Sequence, residues 1–162
     1  MPQVDSCMFP GTRREWNADA AAAEAKKEFE EKAAELGDDS LHEREFGAMI
    51  YERADGSVFL GPITWGEKQG GSVAIDDSDA TPSNVVGEIH SHPSPQSEPS
   101  AADWERLNIW SNWTGRNFRS YIVSRTPGDA NSKFVVRVYD NSSNQSSDTP
   151  GPEVNPNAAP CS

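Results

Sequence analysis

Two histidines and an aspartate in the middle of the chain have the spacing of a metal site. His90 and His92 are two residues apart at the end of a predicted strand, so both imidazoles point to the same face. Asp103 lies in the first turn of the next predicted helix, and the proline-bounded loop 93–99 is long enough to fold that turn back against the strand. Two histidines and one aspartate leave the fourth position of a tetrahedral zinc ion open for water, as in catalytic sites.

Each half of this pattern also has a purely structural explanation. Ser100 and Asp103 are spaced as in a capping box, in which the aspartate accepts a hydrogen bond from the backbone of the helix N-cap. An isolated His-x-His on a strand is more often a surface or core accident than a metal site. The two signals together, separated by prolines, favour metal binding over either explanation alone.

The combined pattern resembles the signature of the JAMM metalloproteases, also called the MPN+ or JAB family. The resemblance lies in His90-x-His92-Pro93, in the seven residues between His92 and Ser100, and in Ser100-x-x-Asp103. The spacing excludes other zinc motifs: Phe46 stands where a His-Glu-x-x-His motif would need its second histidine.

The family also has a glutamate ahead of a short apolar strand far upstream, and Glu45 precedes the apolar run 46–50 here. The similarity covers about residues 42–140. Within the family, the chain is most similar to small bacterial JAB-like domains that accompany polymorphic toxin systems.

The resemblance implies a role for each matching residue. It implies that His90, His92 and Asp103 bind Zn²⁺. It further implies that Glu45 is the general base and that Ser100 donates a hydrogen bond to the oxyanion. The implied activity is zinc-dependent hydrolysis of a peptide or isopeptide bond in a protein or peptide substrate, within a bacterial toxin, effector or processing system. The alternative is an MPN-like protein-binding module without catalysis, and the intact site residues argue against it.

Two other carboxylates lie close to these residues in the sequence. Glu43 competes with Glu45 for the role of base, and Glu45 is alternatively a solvated member of the charged run 42–45. Glu88 stands two residues before His90, where the family commonly has an aromatic residue. Alternation puts Glu88 on the same face as His90, so we hypothesise that it orients a metal-bound histidine or occupies the open site. The alternative for Glu88 is a solvent-facing carboxylate at a strand edge.

Periodicity predicts the elements that position these residues. An alanine-rich stretch, 13–37, is expected to be an amphipathic helix with a thin apolar stripe, lying on the surface of the domain. The elements expected after it are a hairpin of strands 46–51 and 58–64, a strand 85–90, a helix 101–113, and strands 120–125 and 133–139. With the resemblance, this order implies a single α/β domain of the JAMM/MPN (cytidine-deaminase-like) kind, a mixed β-sheet flanked by helices.

Both ends of the chain are expected to lie outside that domain. The segment 1–12 is expected to be mobile, and the tail 141–162, rich in Asn, Ser and Pro, to be disordered. Cys7 and Cys161 lie in these ends, and their spacing fits neither a redox motif nor a zinc ribbon. A disulfide between them and two free thiols are equally compatible with the sequence.

Composition limits the partners. The 162 residues carry a formal net charge of −12 and no basic stripe, which argues against nucleic acid as a partner. No apolar run approaches the roughly 18–20 residues of a membrane span, and the start lacks a signal peptide pattern. We therefore expect a protein without a membrane partner, cytoplasmic or exported by a specialised secretion system. The oligomeric state is open.

Overall fold

A computed structural model describes residues 13–70, 72–145 and 150–160. The described residues form two helices and six strands, namely α1 (Arg13–Glu35), β1 (Phe46–Glu52), β2 (Val58–Leu60), β3 (Thr64–Trp65), β4 (Val85–Ser91), α2 (Ala101–Thr114), β5 (Arg119–Ser124) and β6 (Val135–Tyr139). The strands make one sheet in the order β2-β1-β4-β5-β6, and β3 also pairs with β1. Only β4 and β5 run parallel, so the sheet is mixed. The predicted α/β class is confirmed.

The sheet lies between the two helices. On β1, Ala48 packs in one cluster with Phe29 of α1, whereas the next residue, Met49, packs in a second cluster with Trp110 of α2. Successive side chains of a strand point to opposite faces, so α1 and α2 cover different faces of the sheet. Because α2 connects the parallel strands β4 and β5, it begins close to the point where β4 ends.

The helix α1 packs on the sheet through one face, and that face is part of the main core. Its alanines at 18, 22 and 25 are fully buried against the sheet, as is Phe29, whose ring stacks on Phe46 at a centroid distance of 5.8 Å. Small side chains allow the helix to approach the sheet closely, so a stripe poor in large residues still buries its whole face. Neither helix in the described ranges has the continuous apolar length that a membrane span requires.

The segment 150–160 lies against β6, where its composition predicts a disordered tail. The backbone amide of Val154 donates to the carbonyl of Val136 at 2.8 Å, and Glu153 pairs with Arg137 in an isolated β-bridge. Val154 itself is 7% exposed. Backbone pairing at the sheet edge therefore orders a segment with little apolar surface. The predictions for the segment 1–12, Cys7 and Cys161 concern residues outside the described ranges.

An ion pair holds the chain between α1 and β1, just before Glu45. The Asp38 carboxylate, whose side chain is 0% exposed, accepts two hydrogen bonds from Arg44, each 2.7 Å long. The hydrogen bonds from Arg44 lower the pKa of Asp38, although burial opposes the shift. A carboxyl with a lowered folded-state pKa stabilises the fold above its unfolded pKa, about 3.9, and loses that contribution as the pH falls through the folded value.

Replacement of Asp38 by asparagine is therefore expected to destabilise the protein in a pH-dependent way. We expect the Asp38→Asn variant to unfold at a lower urea concentration than wild type at pH 7, with the gap narrowing below about pH 4 as the wild-type carboxylate is protonated. Urea unfolding at pH 7 and pH 3 measures this gap. The neighbouring exposed Asp39→Asn is the control and should show no such pH-dependent gap. An equal loss of stability for Asp38→Asn at both pH values would contradict the role of the charge.

Candidate metal centre

The three residues predicted to bind metal converge at the end of β4. Nε2 of His90 lies 3.2 Å from Nε2 of His92 and 3.2 Å from Oδ2 of Asp103. Nε2 of His92 lies 3.4 Å from Oδ2 of Asp103, so the three atoms form a triangle. The side chains of His90, His92 and Asp103 are 1%, 12% and 10% exposed. One ligand atom from each residue thus points to a common position, and this group could bind a metal ion.

The loop after β4 sets the orientation of His92. The backbone amide of His92 donates to the carbonyl of Val123 at 2.9 Å, which continues the pairing of β4 with β5. Nδ1 of His92 lies 2.8 Å from the carbonyl oxygen of Gln96. Because a carbonyl only accepts, Nδ1 carries the proton in this contact and leaves the lone pair of Nε2 for a metal.

Asp103 caps α2 and faces the histidines at the same time. Its amide donates to the Ser100 hydroxyl at 3.1 Å, and its Oδ2 accepts from the Ser100 amide at 2.9 Å, which completes a capping box. The motif is therefore compatible with both explanations at once, a helix cap and a metal ligand. The Ser100 hydroxyl accepts this bond and keeps its own proton for another acceptor.

The charges of the group favour an ionised Asp103. Burial alone would raise the pKa of Asp103, but hydrogen bonds with His90 and His92 outweigh it, and the pKa lies far below its ordinary value. Burial would likewise lower the pKa of His90, but the hydrogen bond with Asp103 and the nearby carboxylate charges together outweigh it, so that pKa is raised.

Glu45 lies beside this group. The antiparallel register pairs Gly47 with His90, and extending it by two residues past the end of the ladder puts Glu45 across from His92. The amide of Gly66 donates to the Glu45 carbonyl at 2.9 Å and fixes the backbone there. Burial raises the pKa of the Glu45 carboxyl, and the nearby charges of His90 and His92 partly oppose this. A carboxyl with a raised pKa is a stronger base once ionised.

Glu43, the competing carboxylate, is engaged elsewhere. Its Oε2 accepts from the backbone amide of Asp39, and its Oε1 lies 3.4 Å from Nζ of Lys68. The pKa of Glu45 responds to the charges of His90, His92 and Asp103, which lie close to its carboxyl. This arrangement favours Glu45 as the residue that faces the metal group.

Arg106 is the residue at this centre that the sequence analysis missed. It donates to Oδ1 of Asp103 at 3.1 Å and forms an ion pair with Glu88 at 3.0 Å. Glu88 is 1% exposed, so it is not the solvent-facing carboxylate of the simpler explanation. The three-residue step from Asp103 to Arg106 on a helix is the sequence signal that could have identified Arg106.

Comparison of the chain with models of known protein families gives no match, and a search of curated proteins gives none either. The resemblance to JAMM metalloproteases therefore stays a prediction from the motif.

Proposed function

We propose that this chain is a zinc-dependent hydrolase of the JAMM type, which cleaves a peptide or isopeptide bond in a protein or peptide substrate. The observation that carries the proposal is the triangle formed by the ligand atoms of His90, His92 and Asp103, with Glu45 beside it. The intact set of ligands and base favours an enzyme over a binding module that has lost catalysis.

The donor set supports zinc as the metal. Two imidazoles and one carboxylate are a common donor set of catalytic zinc sites, whereas magnesium prefers oxygen ligands.

The proposed reaction uses each residue of the centre in one role. His90, His92 and Asp103 would hold the ion, which would supply a bound water with a pKa near 7 and polarisation of the substrate carbonyl. Glu45 accepts the proton of the attacking water and returns it to the leaving amine. The Ser100 hydroxyl donates to the oxygen that becomes negative as the carbonyl is attacked.

A groove beside Glu45 offers a path for the substrate. The groove has a volume of about 470 Å³, and its lining includes Glu45, Gln69, Gly70, Ser72, Pro93 and Ser94. It thus joins the segment that follows β3 to the residue that follows His92. Glu43, the competing carboxylate, also lines the groove, so a substrate bound there would pass both glutamates.

Metal content and cleavage of a peptide library test the proposal together. We expect about one zinc per chain by plasma mass spectrometry after zinc is supplied, and new peptide N-termini in a proteome-derived library treated with the zinc-loaded protein. The chelator-treated protein is the control and should yield no new termini. A folded chain that binds no zinc even when it is supplied would contradict the proposal and favour the binding module.

A further inference from the structure

Arg106 links one predicted metal ligand to a buried carboxylate. Its Nη2 donates to Oδ1 of Asp103 at 3.1 Å, and its Nε donates to Oε1 of Glu88 at 3.2 Å. We infer that Arg106 and Glu88 form a positioning pair for the metal centre, in which Arg106 restricts Asp103 to ligation through one oxygen and Glu88 balances the charge of Arg106. The inference rests on the proposed function only for the presence of a metal.

The first part of the inference concerns how Asp103 ligates. A carboxylate can bind a metal through one oxygen or through both. Oδ2 of Asp103 faces the two histidines, whereas Oδ1 is turned away and accepts from Arg106. Release of Oδ1 would allow both oxygens to bind, and the second oxygen would fill the position that a catalytic zinc site keeps open. Arg106 thereby keeps that position free.

The second part concerns charge. Glu88 is 1% exposed, and a buried carboxylate without a cationic partner is strongly disfavoured. Arg106 is its cation, with 34% of the side chain exposed. The pair adds no net charge beside the ligands, so the three ligands keep the single negative charge of Asp103 for a divalent cation.

Glu88 lies on the other side of His90 from the ligand triangle. Its Oε1 is 3.8 Å from Nδ1 of His90, which is beyond hydrogen-bond length. That Nδ1 has no hydrogen-bond partner among residues 13–70, 72–145 and 150–160. Metal-bound histidines usually donate this second N–H to a carboxylate, and Glu88 lies close enough to take that role after a shift of about 1 Å.

A second arginine–glutamate pair provides a matched control. Arg14 donates two hydrogen bonds of 2.9 Å to Glu52, and the side chains are 39% and 16% exposed. This pair links α1 to β1 and is distinct from the predicted metal ligands. Its loss should affect the stability of the fold and leave the metal centre unchanged.

Binding of Co²⁺, whose visible spectrum reports coordination geometry, separates the two parts of the inference. Arg106→Lys keeps the charge but loses the planar fork that reaches both carboxylates. We expect weaker tetrahedral cobalt bands in this variant, with an affinity within about threefold of wild type. Glu88→Gln keeps an acceptor for Arg106 and makes the centre more positive. We expect cobalt affinity to fall roughly tenfold there, with the shape of the spectrum unchanged.

Three results would overturn the inference. One is an Arg106→Lys spectrum that superposes on the wild-type spectrum. Another is an equal loss of affinity and of stability in both variants, with the Arg14→Lys control showing the same, as a merely structural pair would produce. The third is a wild-type chain that takes up no cobalt. No readout here uses hydrolysis, so a chain that shows the expected cobalt results but cleaves nothing supports the positioning pair and contradicts only the proposed activity.

Discussion

Replacement of Glu45 by glutamine is expected to lower the rate of hydrolysis by roughly 10²- to 10⁴-fold, the usual contribution of a general base. Glutamine has nearly the same shape but does not accept a proton, so the fold and the metal ligands should be unaffected. The measurement is the rate of cleavage of a peptide identified from the library, at matched zinc content. Zinc bound per chain should equal that of wild type.

Glu43→Gln is the matched control for this prediction. It removes the same charge two residues away, from a side chain that lies 3.4 Å from Lys68 and also accepts from the amide of Asp39. We expect this variant to keep wild-type activity. Loss of activity in Glu43→Gln with Glu45→Gln unaffected would mean that the register at the start of β1 is assigned to the wrong glutamate. Full activity in both variants would remove the general base from the proposed mechanism.

The convergence of His90, His92 and Asp103 could be predicted from the sequence because it depends mostly on local structure. His90 and His92 share a face through the alternation of one strand, and Asp103 begins the next helix of a parallel crossover. Such a crossover has to bring the start of its helix near the end of the strand. The predicted ligands therefore converge without requiring knowledge of distant contacts.

Other contacts at the centre depend on the tertiary fold and could not be predicted from the sequence. The acceptor for His92 is the backbone carbonyl of Gln96, and a carbonyl carries no sequence signature. The pairing of Arg106 with Glu88 joins a helix to a strand, so only the helical step from Asp103 to Arg106 was visible. Because composition does not report backbone pairing at a sheet edge, it also did not reveal the contact of Val154 with β6.

Metal ligation and helix capping by Asp103 can be separated by two substitutions. Asp103→Asn keeps one oxygen that can accept from the Ser100 amide, so the start of α2 should stay capped. It replaces an anionic ligand with a neutral amide. We expect zinc affinity to fall well beyond the roughly 10- to 100-fold typical of changes around a ligand set, while the metal-free protein keeps most of its stability.

Ser100→Ala should produce the opposite pattern. It removes the hydroxyl that accepts from the Asp103 amide, at an expected cost of about 0.5–2 kcal/mol in the free energy of unfolding of the metal-free protein. The three ligands remain, so zinc affinity should stay near that of wild type. The rate of hydrolysis should nevertheless fall, because the proposed donor to the oxyanion is lost. Chelator competition measures the affinity, and urea unfolding measures the stability.

Asp103→Asn should lower zinc affinity and Ser100→Ala should lower stability. This difference between the two variants distinguishes a metal centre from a capping box with two neighbouring histidines. In a mere capping box, Ser100→Ala would weaken α2, and neither substitution would change zinc binding specifically. An Asp103→Asn variant that binds zinc as tightly as wild type would leave Asp103 only its role as a cap. Because Oδ2 of Asp103 both accepts from the Ser100 amide and lies 3.2 Å from Nε2 of His90, the helix cap itself orients the ligand. Ser100→Ala retains that amide, so the orientation of Oδ2 and the zinc affinity should both be kept.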